Sequence, residues 1–439
     1  MTGAGVRMLK DRSVQVTVTV FAVALALLWS TGVTNLRHLF DDLIAVYLLL
    51  WGAYAFLSDL PRAEIRQRFT LMTAAVLVGL GCLEIPAAVG WVDYRVLLPS
   101  ATVELWTKPG YVQDRELIWV RKPFSRVAGT LARGNIGEAL CVDRESGTSF
   151  DVQYDAHGFR NSPDLKQADL AVIGDSNVEA PMAADAELFT NRLGRQLNRS
   201  VANLGQLGYN PYQELAVLRR YALDLKPNTI VWVFFEGNDL AEMRLYPERR
   251  RMVEARTQFD VLWDRSFMRN LLAAIVAPRT CVPHSRIQQQ FGKVRDEQGQ
   301  TQRMYFVTPL DEVSSSDSQM LQETRRVLEV AYALCRERHI DFVVAFAPAK
   351  FRVYRDVADF SETGDVMKHW GLNDLPERVR SLVGAIDPQI GFVDLTAALR
   401  RESVKGRLTY YLDDTHWTAA GHQVVADALQ EVLRPRSER

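Results

Sequence analysis

Residues 170–177 read LAVIGDSN. A short, wholly apolar run that ends in Gly-Asp-Ser predicts a buried strand over Leu170–Ile173 that delivers a serine into a strand-to-helix turn. The unit recurs along the chain. Apolar runs at Val201–Leu204, Thr229–Phe235, Asp341–Phe346 and Gly391–Val393 alternate with helix-period segments at Ala184–Leu197, Tyr212–Leu225, Ser318–Arg338, Leu375–Ile386 and Thr418–Leu433. This alternation predicts an α/β domain over residues 166–435, a parallel sheet with helices on both faces whose site lies beyond the carboxyl ends of the strands. Met243–Val313 breaks the rhythm with the charge cluster Glu248–Arg251 and a helical patch near Phe267–Val276. It is expected to be an insertion between the third and fourth strands, a lid or a partner surface.

Four polar patches carry the candidate chemistry: GDSN at Gly174–Asn177, NLG at Asn203–Gly205, GND at Gly237–Asp239 and DDTHW at Asp413–Trp417. Ser176 is the candidate nucleophile. The G-x-S-x-G elbow is absent, because Asn177 and Val178 follow the serine. His416 is the candidate base, and it needs an acceptor on its second ring nitrogen. Asp414 is the first choice for that acceptor and Asp413 the alternative; spacing does not separate them. The amides of Ser176 and Gly205 and the side chain of Asn238 are candidate oxyanion donors. Read singly, each patch is equally an ordinary turn or helix cap. Asp239 reads as a turn or cap residue, His157 as a turn residue, and His422 as a helix-surface or capping residue. Lys350 and Arg352 would receive an anionic or sugar substrate, or else belong to a solvated loop. Tyr209, Tyr212 and Trp417 would form a sugar-stacking wall, although core packing is the default for such rings.

Taken in order, serine, glycine, asparagine and histidine follow strands one, two, three and the last. In this the chain resembles the SGNH (GDSL-type) hydrolase family over about Ala168–Leu433, less the insertion. The resemblance implies a three-layer α/β/α fold and a seryl acyl-enzyme. The family's usual spacing, Asp three residues before His, favours Asp413. The alginate O-acetyltransferase-like proteins have Asp two before His and then Trp, as in Asp414-Thr415-His416-Trp417, and PAKFRVY at Pro348–Tyr354 is also similar to that set.

The first ninety or so residues differ in character. Val14–Val33 is a twenty-residue, mostly apolar run without a charge, long enough to cross a bilayer. Leu43–Leu57 is shorter, and Phe69–Val92 is interrupted by Glu84 and Pro86. Residues 1–92 are therefore expected to be an anchor of about three transmembrane helices. Arg7, Lys10 and Arg12 precede the first run, and a loop with Arg62, Arg66 and Arg68 separates the last two, which puts both on the cytoplasmic side and the rest of the chain outside. The rival reading of the first run, a cleaved signal peptide, lacks a small-x-small site after Val33. Residues 93–165 read as a small β-rich lead-in that ends in YDAHGFRNS at Tyr154–Ser162.

The net charge of −1 offers no broad basic surface for nucleic acid. None of the four cysteines, Cys82, Cys141, Cys281 and Cys335, has metal-ligand spacing, and no metal or other cofactor is expected; Cys141 and Cys281 would be able to pair in an oxidising compartment. The expected function is a bacterial inner-membrane, multi-pass serine esterase or O-acyltransferase facing the periplasm. From the resemblance, its acyl group is acetyl and its substrate a cell-surface carbohydrate or acyl donor, with the lipid bilayer and a multi-span membrane acyltransferase as companions. The alternative is an inactive SGNH-like glycan binder or scaffold of a polysaccharide assembly complex. A transport role is weak, since the spans are few and Glu84 is the only acid well inside them.

Overall fold

The computed structural model describes residues 47–55, 58, 60–98, 105–140, 147–276, 290–307, 310, 313–363 and 365–434. The run Val14–Val33, Cys141 and Cys281 lie outside the described residues. The chain divides into two compact units, one of residues 1–109 and 256–280 and the other of residues 110–255 and 281–439.

The larger unit is built on a five-stranded parallel sheet. Its strands are β5 (Leu170–Gly174), β6 (Val201–Gly205), β7 (Thr229–Phe235), β10 (Asp341–Ala347) and β11 (Gly391–Asp394), in the order β11-β10-β7-β5-β6. Each lies within a residue of the apolar run that predicts it. β7 is buried along its whole length, as a central parallel strand covered on both faces requires. One helical layer comprises Phe189–Leu197, Thr396–Val404 and Ala419–Leu433; the other comprises Pro211–Val217, Asp239–Glu254, Ser315–Arg336 and Leu375–Ile386. Chain order reverses between β5 and β7, so their carboxyl ends diverge into a crevice there. The segment predicted as one helix over Tyr212–Leu225 is an α-helix to Val217, then a π turn and a 3-10 turn, ending at Lys226 in the left-handed region (φ 52°).

Two antiparallel ribbons precede the sheet: β1 (Tyr111–Asp114) with β2 (Ile118–Arg121), and β3 (Arg126–Leu131) with β4 (Thr148–Gln153). The first is tied to the loop after β6. Trp119 Nε1 donates to Leu207 O at 3.0 Å, and Tyr209 Oη donates back to Trp119 O at 2.6 Å. A third ribbon, β8 (Phe291–Arg295) with β9 (Thr301–Tyr305), lies within the predicted insertion. The other part of that insertion, from Arg256 through the helix Phe267–Val276, belongs to the smaller unit.

The smaller unit is helical. Arg62–Ala88 is 27 residues long and, among the described residues, is the one helix long and apolar enough to cross a membrane. Arg62, Arg66 and Arg68 lie within its first two turns rather than in a loop, because helix formation starts directly after Pro61. Residues 47–55 are helical and pack beside it: Tyr47 Oη and Thr73 Oγ1 are 2.7 Å apart, and Trp51 meets Phe69 edge-on. Residues 93–109, expected to open a β-rich segment, hold the short helix Tyr94–Leu97 and a 3-10 turn instead.

Gly205 ends β6 against the turn that follows β5. A Cβ there would overlap the Glu179 amide nitrogen and the Val178 Cβ. Gly205→Ala is expected to lower stability by about 1–3 kcal/mol, the usual cost of overpacking, read as the shift of the urea unfolding midpoint.

Candidate active site

Ser176 opens a single-turn helix, Ser176–Glu179, that starts where β5 stops. Asp175 caps it by accepting the Asn177 N–H at 2.9 Å, and the Ser176 hydroxyl donates to Asp175 Oδ2 at 3.3 Å. The turn ends at Ala180, which adopts the left-handed region (φ 46°) at the expense of its Cβ. The buried guanidinium of Arg160 secures that strained end, donating to Ala180 O and to Ala183 O at 2.5 Å. Glu179 is fully buried and accepts from Arg121 Nε at 3.0 Å, Tyr154 Oη at 2.6 Å and the Leu207 amide. The Ser176 turn is thus fixed from β2, from the segment after β4 and from the loop after β6.

His416 reaches the site from the other end of the chain. Its Nδ1 lies 2.5 Å from Asp414 Oδ1, which also accepts the His416 backbone N–H at 2.9 Å. Asp414 Oδ2 accepts the Asn135 N–H at 2.7 Å. Asp413 points elsewhere, and its Oδ2 accepts the Gly134 N–H at 2.6 Å. Of the two aspartates left open by spacing, Asp414 is therefore the one paired with the ring. Burial disfavours the Asp414 carboxylate, but the facing imidazole more than offsets this and holds it down to about 2. Burial also disfavours the imidazolium, and Asp414, then Asp175 and Glu179, raise His416 above its ordinary 6.5. Because Asp175 and Glu179 bracket the Ser176 turn, the ring lies within electrostatic reach of that turn.

Lys350 is not a solvated loop residue, although it lines the cavity at Asn238. It is buried, and its ammonium donates to Tyr411 O at 2.7 Å, Leu412 O at 3.0 Å and Asp414 O at 2.9 Å. Arg352 is equally committed: Nε and Nη2 donate to Glu236 Oε1 at 2.7 and 2.6 Å, and Nη2 also donates to Asn373 Oδ1 at 2.6 Å. Glu236 directly precedes Gly237-Asn238, so this pair ties the end of β7 to the loop after β10. Both cations are held by protein acceptors at the site.

Asn238 follows β7 at the crevice and lines a cavity of about 180 Å³ with Asn135, Thr415, Phe235, Phe306 and Phe351, among others. Asp239 begins the next helix and accepts the Phe235 N–H at 2.9 Å. Gly205 does not fit the donor role: its N–H goes to Asn203 Oδ1 at 3.1 Å. In the following turn the amides of Gln206, Leu207 and Tyr209 have acceptors, whereas that of Gly208 (φ 73°) has none among the described residues. His422, expected on a helix surface, is buried and stacks on Phe189 with an interplanar angle of 8°; burial pushes it down to about 3, which keeps it neutral. Tyr209 and Trp417 are core residues, and Tyr212 packs on Tyr246. His157 sits in a turn with its N–H on Asp155 Oδ1 at 2.8 Å.

Several supporting residues escaped the sequence reading: Asn135, Arg160, Glu179 and the stapling roles of Lys350 and Arg352. Arg160, in GFRN, lies ten residues before the first residue of β5, and its spacing gives no signal of its contact with the Ser176 turn. Nothing in the spacing points to Asn135, which lies 279 residues from Asp414.

Residues 298–439 match the family model described as the SGNH hydrolase-like domain of the acetyltransferase AlgX. The matched residues hold β10, Lys350, Asp414 and His416, while Ser176, Gly205 and Asn238 precede them. No curated protein matches the chain. Among solved structures, a putative acylhydrolase from Bacteroides fragilis shares 14% identity over 62% of this chain and 90% of its own, with a TM-score of 0.30. The acetyl xylan esterase AlAXEase shares 11% over 60% of this chain and 98% of its own, with a TM-score of 0.33. A catalytic mutant of an acetylxylan esterase from Geobacillus stearothermophilus shares 14% over 60% and 92%, with a TM-score of 0.31.

Lys350→Met would leave three loop carbonyls without their donor. The expected result is a loss of about 1–3 kcal/mol in stability, measured by denaturant unfolding, with kcat for an acetyl ester falling more than KM rises.

Proposed function

We propose that the protein is a membrane-anchored, extracytoplasmic serine acyl-transfer enzyme that acts on acetyl esters of cell-surface carbohydrate. The observation that carries this reading is the 2.5 Å pairing of Asp414 with His416, on the last loop of a sheet unit whose strand β5 leads into the Ser176 turn. Asp414 holds Nδ1 protonated, which leaves Nε2 free to take the Ser176 proton. Ser176 Oγ bonds to the acyl carbon, and the carbonyl π pair moves to oxygen. The oxyanion is received by the Ser176 amide, the Asn238 side chain and the Gly208 amide, the last in place of the committed Gly205 amide. On collapse the carbon–oxygen bond to the leaving alkoxide breaks, and His416 returns the proton to it. Water or a sugar hydroxyl then repeats the sequence in reverse on the acyl-enzyme.

The small aromatic cavity beside Asn238 suits a short acyl group. A family match to an acetyltransferase domain over residues 298–439 supports the acetyl assignment. The long apolar helix Arg62–Ala88 supports the anchor.

Three outcomes test this reading. Ser176→Ala is expected to lower turnover of a chromogenic acetyl ester by about 10³-fold or more, and unchanged turnover would remove Ser176 from the chemistry. In wild-type protein kcat/KM should rise with pH through a value above 6.5, because only the neutral imidazole accepts a proton. Asp414→Asn removes the charge that raises His416, so the rising limb should move to lower pH while the plateau falls by about 10⁴-fold; a limb that stays in place would detach Asp414 from the base. Glycan binding without any turnover in the intact protein would favour the binder instead.

A further inference from the structure

The insertion after β7 leaves the sheet unit for part of its course. Ala255 is the last residue of the sheet unit before this excursion, and the helices Gln258–Arg265 and Phe267–Val276 fold with the N-terminal part of the chain. Both pack against Arg62–Ala88 and Tyr94–Leu97. Their place along the long helix is fixed by Glu84. Its carboxylate accepts the Phe267 N–H at 3.1 Å and the Met268 N–H at 2.7 Å, capping the second helix at its positive end. An acid inside an apolar helix thus has a partner, and the helix pair is seated near the carboxyl end of Arg62–Ala88.

Two features of this pair have no use inside the unit. The first is apolar. Phe259 and Trp263, one helical turn apart, stack with an interplanar angle of 10° and are 70% and 44% exposed. Val261 and Leu262 are exposed on the same short helix, and so are Val96 and Leu97 on the helix it packs against. The second is a cluster of guanidinium groups. Asp264 accepts from Arg256 Nη2 and lies 3.4 Å from Arg269 Nη2. Arg256 Nε and Arg269 Nη1, from the two cations on Asp264, and Arg265 Nε, whose guanidinium lies within electrostatic reach of Asp93, are buried with no acceptor among the described residues. Nearby Arg95 has its own acceptors in Asp93 and Thr107 O. Three unanswered guanidinium N–H donors within residues 256–269 fit a further anion, and planar guanidinium groups match a phosphate best.

We propose that the helix pair Gln258–Val276 is an interfacial collar on the lipid bilayer, with Phe259, Leu262 and Trp263 entering the headgroup–acyl boundary and Arg256, Arg265 and Arg269 binding the phosphate of an anionic headgroup. An aromatic, basic amphipathic helix packed on a membrane-length helix has the composition such a position requires. The proposal rests on the reading of Arg62–Ala88 as a membrane helix.

The test uses the full chain in nanodiscs of phosphatidylcholine containing a minority of phosphatidylglycerol with a photoreactive headgroup. After irradiation, crosslinked lipid should map by mass spectrometry to residues 256–269. The triple variant R256Q/R265Q/R269Q should lose about tenfold or more of it, with its circular dichroism and acetyl-ester turnover unchanged. The double variant F259S/W263S, altered only at exposed positions, should reduce it as well. Crosslinking undiminished in both variants, or absent from residues 256–269 in the wild type, overturns the collar. Displacement by millimolar inorganic phosphate would reassign the arginines to a soluble anion and overturn the lipid assignment. Failure of the chain to enter nanodiscs would overturn the membrane helix itself, an outcome distinct from entry without crosslinking.

Discussion

The site depends on one buried ammonium. Lys350 stands at the start of a short helix just past the carboxyl end of β10, and its three N–H donors meet three backbone carbonyls of the loop Tyr411–Asp414. A charge buried without such partners would cost many kcal/mol, so the loop has few alternatives to closing over it. Once closed, Asp414 and His416 face each other, and the amide of Asn135 takes the remaining oxygen of Asp414. The Arg352–Glu236 pair repeats the device one strand over and sets the loop that presents Asn238. Breaking a buried pair of this kind commonly costs about 3–5 kcal/mol.

The surroundings of Ser176 are tuned by burial. Asp175, Glu214 and Asp239 are all fully buried near the carboxyl ends of the strands. Burial comes first in raising each, and repulsion from neighbouring carboxylates adds to it for Glu214 and Asp239, which are pushed well above the usual range. Asp414 behaves in the opposite way because an imidazole faces it. Two kinds of carboxyl environment therefore coexist, one raised by burial and the other lowered by a facing imidazole.

The parallel sheet was legible because each strand is an unbroken apolar run, and burial on both faces leaves no polar interruption to blur it. The order of the polar patches followed, since every patch sits at a strand's carboxyl end or on the last loop. Legibility failed where function depends on contacts across the chain. A lysine and an arginine in PAKFRVY read as substrate-receiving or solvated because sequence does not reveal three carbonyls and a glutamate waiting from other loops. Gly205 read as a donor because it follows a strand, yet its lack of a side chain serves close packing on Val178 and Glu179, and its amide is taken by Asn203. His422 repeats His416 in type but not in setting: a helix face turned toward Phe189 and Trp417 buries it. The insertion read as one segment, a lid or a partner surface, whereas its chain serves two units, as a ribbon in one and a helix pair in the other.

Acyl transfer by this protein requires that Ser176 become covalently acylated with help from His416. Brief incubation of the full chain with an activated acetyl ester, acid quenching and peptide mass spectrometry tests this directly. One added acetyl group is predicted on the peptide that contains Ser176, accumulating to a lower level in His416→Ala and absent from Ser176→Ala. A stable acetyl adduct located on another residue, or one formed equally in all three proteins, would contradict the assignment.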